Sequence, residues 1–248
     1  LRADDLGYSE AVNYGIEKTV KHGIIRSVGL MPNMPAAAHG IRLLQDTNIC
    51  LGQHTNLCVG SPCADPAYIP SLLDESGELI SSRSYREAWR CGKEIVVLEE
   101  AIIEIEAQYQ RFKELTGHEP CYFEAHAVQS LNVSKALRIV AQRHQLKLND
   151  RASDGATYTF NGKTISYCPM KSMEKDYDPW QSLWQGVLNA REDMPNIFVC
   201  HPGYLDYYLM QHSSLTINRT KEVEMLTDPT LPDWLKEQGV ELITYNDI

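Results

Sequence analysis

The alternation of short β-rich runs with amphipathic helical stretches constrains this chain more than any other feature. Apolar segments at 24–31 (IIRSVGLM), 48–57 (NICLGQHTNL), 121–127 (CYFEAHA), 146–150 (LKLND), 196–203 (NIFVCHPG) and 240–245 (VELITY) read as strands, after a first strand that begins at Leu1. Helical patterns occupy 9–22, 35–45, 93–116, 132–145, 179–191 and 219–238, the last broken near Asp228, Pro229 and Pro232. In the longest, apolar residues at 95, 98, 102, 105, 109 and 112 advance by steps of three and four, which puts them on one helical face. Gly117 supplies its stop. Strands that alternate with helices pair in parallel, because each helix carries the chain back along the sheet before the next strand begins. The expectation is an α/β fold, a TIM-like (β/α) barrel with seven strands or an irregular closure, and residues 1–248 as one domain.

Two segments depart from the plain repeat. The stretch 155–168 (GATYTFNGKTISYC) reads as a β-hairpin about Asn161-Gly162, a dipeptide that accepts the positive φ angles of a tight hairpin turn. Residues 58–92, rich in Pro, Ser and Gly, read as a long loop, and loops of that length usually serve as lids or substrate contacts.

Charge narrows the partners. A net charge of -10 gives no long-range attraction to nucleic acid or to an anionic membrane surface, and no apolar run approaches the ~20 residues needed to cross a bilayer. A small neutral ligand is the simpler expectation. Seven cysteines, an odd number with no CxxC spacing, read as reduced and mostly buried thiols in a cytoplasmic protein. A homodimer is one assembly compatible with this composition.

Chemistry-bearing residues recur at the C-terminal ends of the strands: Asp4 and Asp5, then His54, Glu124 and His126, Asp150 and Arg151, and His201. In a parallel barrel those ends open on one face, so positions 200 residues apart converge there. Each piece alone has a structural explanation. Asp-Asp before a helix can be a loop with an N-terminal cap, His54 a core histidine, Glu124 with His126 a buried ion pair, and His-Pro-Gly a turn. Together they supply carboxylates and imidazoles to one place, and an Asp with two His suits a catalytic divalent cation. One carboxylate of the adjacent pair would bind the ion, and the other would act as a base. His22, His39, His118, His144 and His212 read as solvated. Tyr8, Tyr68, Trp180, Trp184 and Tyr204 are candidates for stacking on a ligand, although Trp180 and Trp184 have the spacing of residues packed against the barrel.

The ordered set RADDLGYSEAVNYGI, MPNMPAA, LGQHTNL, GHEPCYFEAH, CHPG and TINRTKEVEMLTDP resembles the YdjC-like carbohydrate deacetylases, the family that includes chito-oligosaccharide deacetylases, over essentially the whole chain. The resemblance implies a barrel hydrolase that removes acetyl groups from N-acetylated sugars with a single divalent ion, magnesium or zinc. It implies metal ligation by Asp5, His54 and His126, a general base at Asp4, and His201 in the same pocket, where strand order makes it the best-placed acid for the departing amine. Glu124, Arg151 and Tyr204 are expected to contact the substrate or to support the ligands. The chain departs from the family's Asp-Ser-His-x-His run, carrying Glu124-Ala125-His126-Ala127-Val128, and Gln53 and Thr55 replace apolar residues beside His54. These departures bear on the contacts behind the ligands and on sugar recognition. Another metal-dependent hydrolase, or a carbohydrate-binding relative with altered catalysis, is the alternative reading.

Overall fold

The computed structural model describes residues 1–151 and 155–248. Eight strands form one sheet: β1 (Arg2–Leu6), β2 (Ser27–Leu30), β3 (Cys50–Thr55), β4 (Phe123–Ala125), β5 (Asp150–Arg151), β6 (Thr157–Phe160), β7 (Lys163–Cys168) and β8 (Asn196–Cys200). Their order is β4-β3-β2-β1-β8-β7-β6-β5. The first five in that order, and β7 beside β8, pair in parallel; β6 runs against both β5 and β7. Just ahead of β5 the chain pairs back onto β4 through a parallel bridge between Phe123 and Leu148, with Asn149 N–H on Phe123 O at 2.8 Å. The result is a nearly closed, irregular barrel.

The hairpin falls where the sequence places it. Asn161 (φ 50°) and Gly162 (φ 76°) make the turn between β6 and β7. The segment 240–245 forms no strand. Both edges of β1 are occupied, by β2 and β8, and the hairpin provides the extra strands that a final β-strand would have supplied. The tail instead passes under the barrel, where the Tyr245 ring stacks on Tyr122 at 4.1 Å and meets Phe160 edge-on at 4.8 Å. These rings, with Ile165, Ile197 and Val199, fill the barrel floor.

Helices α1 (Glu10–Lys21) and α2 (Ala37–Leu43) cover one side of the sheet together with α8 (Ile217–Leu226) and α9 (Leu231–Glu237). The break between the last two falls near Asp228, as the prolines require. The other side is covered by α4 (Leu98–Thr116) and α5 (Leu131–His144), each begun or ended by a local device. Ser130 caps α5 through Val133 N–H, and Gly117 closes α4 with φ 77°. The 58–92 segment is more ordered than its composition implies, with 3-10 turns at Pro66–Tyr68 and Pro70–Leu72 and helix α3 (Ser82–Arg90). It is tied to α4, whose buried Glu104 accepts the Cys63 and Ala64 N–H groups at 3.0 and 2.8 Å. Helices α6 (Pro179–Leu188) and α7 (Tyr207–His212) complete the set.

Candidate metal centre

Two consecutive residues of a regular strand face opposite ways. Asp4 and Asp5 escape that rule. Between Ala3 and Leu6 the β1/β2 register slips by one residue, and Asp5 takes φ 75°, a left-handed conformation rare for a residue with a side chain. Ala3 and Leu6 therefore both pack into the helix layer, while both carboxylates turn into the barrel mouth and approach the same imidazole. Gly29 on β2 makes room, since a Cβ there would lie 2.9 Å from Asp4 Oδ1 and 3.1 Å from His54 Cβ.

Asp5 Oδ1, His54 Nε2 and His126 Nδ1 form a compact triangle. The separations are 3.3 Å from Asp5 to His54, 3.2 Å from Asp5 to His126 and 2.8 Å between the two nitrogens. Donors held about 2.0–2.2 Å from a shared cation lie roughly 3–3.5 Å from one another, so the triangle fits one ion. Asp5 Oδ1 is buried and makes no hydrogen bond among the described residues, although two ring nitrogens lie close to it. Charge agrees with distance. Asp4, Asp5, Glu124 and Glu222 are buried around the site against two buried guanidiniums, Arg2 and Arg219, a deficit of two positive charges that a divalent ion matches.

A second set, Asp4, His54 and Glu124, also clusters. Arg2 already serves it, with Nη2 at 2.6 Å from Asp4 Oδ2 and 3.3 Å from Glu124 Oε2. Glu124 accepts from His54 Nδ1, which fixes the tautomer and leaves Nε2 facing the triangle. The longer carboxylate thus orients His54 rather than its near neighbour His126. Burial pushes the Asp4 and Asp5 carboxyls up, but Arg2 and His54 outweigh it for Asp4, as Arg219 and His126 do for Asp5, and both are held below the usual range. Burial pulls the imidazoles down, yet Glu124 and Asp4 raise His54 well above its ordinary value, and Asp5 raises His126 to about 9. Both rings therefore draw protons when no metal competes for them.

His201 follows β8 on the wall of a cleft of about 420 Å³ that Asp5, His126 and Arg219 also line. Its Nδ1 is buried without a hydrogen-bond partner among the described residues, and burial pulls its pKa down. Asp4 lies deeper, 1% exposed, with Oδ1 likewise unpartnered.

Arg151 and Tyr204, expected to contact the substrate or support the ligands, make no contact with the Asp5–His54–His126 triangle among the described residues. Arg151 is exposed, bonded to Gly155 O at 3.2 Å and set over the Tyr167 ring, on a strand that pairs antiparallel with β6 of the hairpin. The guanidinium that pairs with Asp4 is that of Arg2, at 2.6 Å. Tyr204 turns to α1, where its N–H meets Ala11 O at 3.1 Å. Asp150 pairs with Arg138 at 2.7 Å. Trp180 packs edge-on against Trp234, as its helical spacing implies, whereas His212 lines the cleft edge. Arg219 and Arg2 are the additions. Arg219 Nη2 donates to Asp5 Oδ2 at 2.7 Å, and its one sequence signal is an arginine on the apolar-flanked helix TINRTKEVEML.

All seven cysteines are free, and no helix among the described residues is long and apolar enough to cross a membrane. Comparison with known proteins gives consistent relatives. A carbohydrate deacetylase 2 from Listeria innocua serovar 6a is 30% identical over 255 residues, covering 100% of this chain and 97% of that protein. A chitooligosaccharide deacetylase from Proteus mirabilis is 30% identical over 270 residues, covering 100% and 97%. Among solved structures, an Enterococcus faecalis V583 protein provisionally assigned to cellobiose-phosphate cleavage superposes with a TM-score of 0.80 at 23% identity, over 99% of this chain and 96% of that one. The profile of the YdjC-like protein family matches residues 1–237, and the chain belongs to that family.

Proposed function

We propose that this protein is a carbohydrate N-deacetylase that hydrolyses the acetamide of acetylated sugars of the chito-oligosaccharide class, with one divalent ion, magnesium or zinc, held by Asp5, His54 and His126. The observation that carries the reading is the Asp5–His54–His126 triangle opening onto the cleft. The deacetylase names of full-length relatives support it. The seven free thiols fit a reducing, cytoplasmic setting.

When bound, a divalent ion supplies Lewis acidity that polarises the acetyl carbonyl and acidifies water. Asp4 accepts the proton of the attacking water at Oδ1 while Arg2 keeps it ionised and in place through Oδ2. Water oxygen bonds to the acetyl carbon, and the carbon–nitrogen bond then breaks. An amide anion is a poor leaving group, so the nitrogen must take a proton as it departs. Burial lowers the His201 pKa, so the ring gives up a proton readily once it holds one, and it passes that proton to the nitrogen, giving acetate and a free sugar amine. Arg219 holds Asp5 through the oxygen that faces away from the triangle.

The test is acetate release from N,N′-diacetylchitobiose by protein stripped of metal and resupplied with magnesium, zinc, manganese or cobalt in turn. Metal-dependent release that His126→Ala abolishes is the expected result. Metal binding without acetate release on any ion would overturn the enzymatic reading in favour of a carbohydrate-binding protein.

A further inference from the structure

Helix α8 carries a second buried charge that the reaction above leaves unused. Glu222 is fully buried, and its carboxylate collects donors from two separate segments. Oε1 accepts from the Ser172 hydroxyl at 2.5 Å and the Tyr177 hydroxyl at 2.8 Å, and Oε2 accepts the backbone N–H of His201. Ser172 and Tyr177 belong to the stretch between β7 and α6, and Ser172 forms part of the cleft wall. A buried carboxylate is expensive unless its lone pairs are filled. Here neutral donors fill them, while the nearby cation, Arg219, is engaged by Asp5.

Arg219 and Glu222 are three residues apart and so share a helical face. One reaches Asp5, and the other reaches the backbone that bears His201. Because His201 Nδ1 has no partner among the described residues, the ring depends on its own backbone for placement. We infer that Glu222 is a positioning residue: by holding the His201 N–H it fixes where β8 ends and where the imidazole enters the cleft, and through Ser172 and Tyr177 it fixes the facing wall to the same anchor. The catalytic part of this inference rests on the deacetylase reading; the structural part does not.

The experiment pairs amide hydrogen exchange with steady-state kinetics in the metal-loaded protein, comparing wild type with Glu222→Gln, Glu222→Asp and the double variant Ser172→Ala/Tyr177→Phe. In Glu222→Gln an amide N–H2 faces the His201 N–H, or a hydroxyl loses its acceptor. The expected result is His201 amide exchange faster by about tenfold or more, with rates in α4 and α5 unchanged. Turnover should fall with it, kcat dropping by roughly 10- to 100-fold while KM stays within about twofold. Glu222→Asp, which keeps the charge on a shorter stem, should lie between and carries the comparison if Glu222→Gln does not fold. The double variant keeps the His201 bond and should raise KM with kcat nearly intact. Unchanged His201 exchange in both Glu222→Gln and Glu222→Asp, whose shorter stem cannot keep the reach, or an equal kcat loss in the double variant, overturns the proposal. If wild type releases no acetate yet Glu222→Gln still speeds His201 exchange, the deacetylase reading falls while the anchoring of His201 by Glu222 stands.

Discussion

Replacing Arg219 with methionine probes how the charges of the centre are balanced. The Arg219–Asp5 pair is 2.7 Å long, with the two side chains 2% and 1% exposed. At an effective dielectric of about 20, unit charges at that separation attract by about 6 kcal/mol, part of which offsets the desolvation of both groups. Removing one partner of such a pair typically lowers stability by about 3–5 kcal/mol. Methionine keeps most of the aliphatic stem and removes the guanidinium, which pairs with Asp5 and lies 5.7 Å from the centre of the Tyr8 ring, so the loss reports mainly on charge. For a chain of this size it corresponds to a fall in Tm of roughly 6–20 °C. The pH dependence gives a sharper test. In the native protein burial pushes the Asp5 carboxyl up, but Arg219 and the histidines hold it well below its ordinary value. A depressed native pKa contributes stability that is fully present above the unfolded value, about 3.9, and is lost as pH falls through the native pKa. In the variant burial is less opposed and the native pKa rises, so the stability difference between the two proteins is largest near neutrality and narrows as pH falls. Urea unfolding of both metal-stripped proteins between pH 3 and pH 8 measures it. Adding a divalent ion should then restore more stability to the variant than to wild type. A difference below about 1 kcal/mol at pH 7, the range of a surface pair, or one that grows toward acid, would refute the reasoning.

Glu124→Gln removes the charge that fixes the His54 tautomer, and competition against a chelating dye should show metal affinity reduced by roughly 10- to 100-fold; an unchanged affinity would contradict that role. Because Asp5 outweighs burial and raises His126 to about 9, a proton must leave before its nitrogen can ligate, so apparent metal affinity should climb at least about tenfold per pH unit from 6 to 8. A flat profile over that range would exclude His126 as a ligand. Gly15→Ala places a Cβ 2.4 Å from Gly203 Cα, forcing α1 off the His-Pro-Gly turn, and should lower stability by about 1–3 kcal/mol in thermal melts. An unaltered Tm would mean the two backbones are not in close contact.

What the sequence discloses and what it hides follow from the range of the interactions involved. Local signals carry far: the Asn161-Gly162 turn, the Gly117 stop and the break near Asp228 depend on a few neighbouring residues, and they recur in the structure. The strand ends that converge on the mouth were legible because parallel topology brings the end of β1 together with His54, His126 and His201, whereas the slip that turns both Asp4 and Asp5 inward left no local mark. The arginines were not. Arg2 and Arg219 meet their carboxylates across 2 and 214 positions, and nothing in the pattern around either separates a buried guanidinium from a solvated one. Arg151 shows the converse, since its strand pairs antiparallel with a hairpin and its side chain lies over the Tyr167 ring of the cleft wall. VELITY has every local mark of a strand, but a strand also needs an unpaired edge, and the closed order leaves none beside β1.

The extra residue in β1 bears on how such a site can change by mutation. Substitution of Asp4 or Asp5 leaves the apolar layers filled, because neither side chain belongs to them, and its cost falls on the buried arginine left behind, Arg2 or Arg219. A one-residue deletion in β1 acts differently. It restores the regular ladder, and strict alternation then turns one acid of any adjacent pair outward, into the space that Ala3 and Leu6 now fill. Variation among descendants of this chain should therefore show positions 4 and 5 exchanged together with their arginine partners, Arg2 and Arg219, wherever activity has been lost, yet almost never a gap between positions 3 and 6.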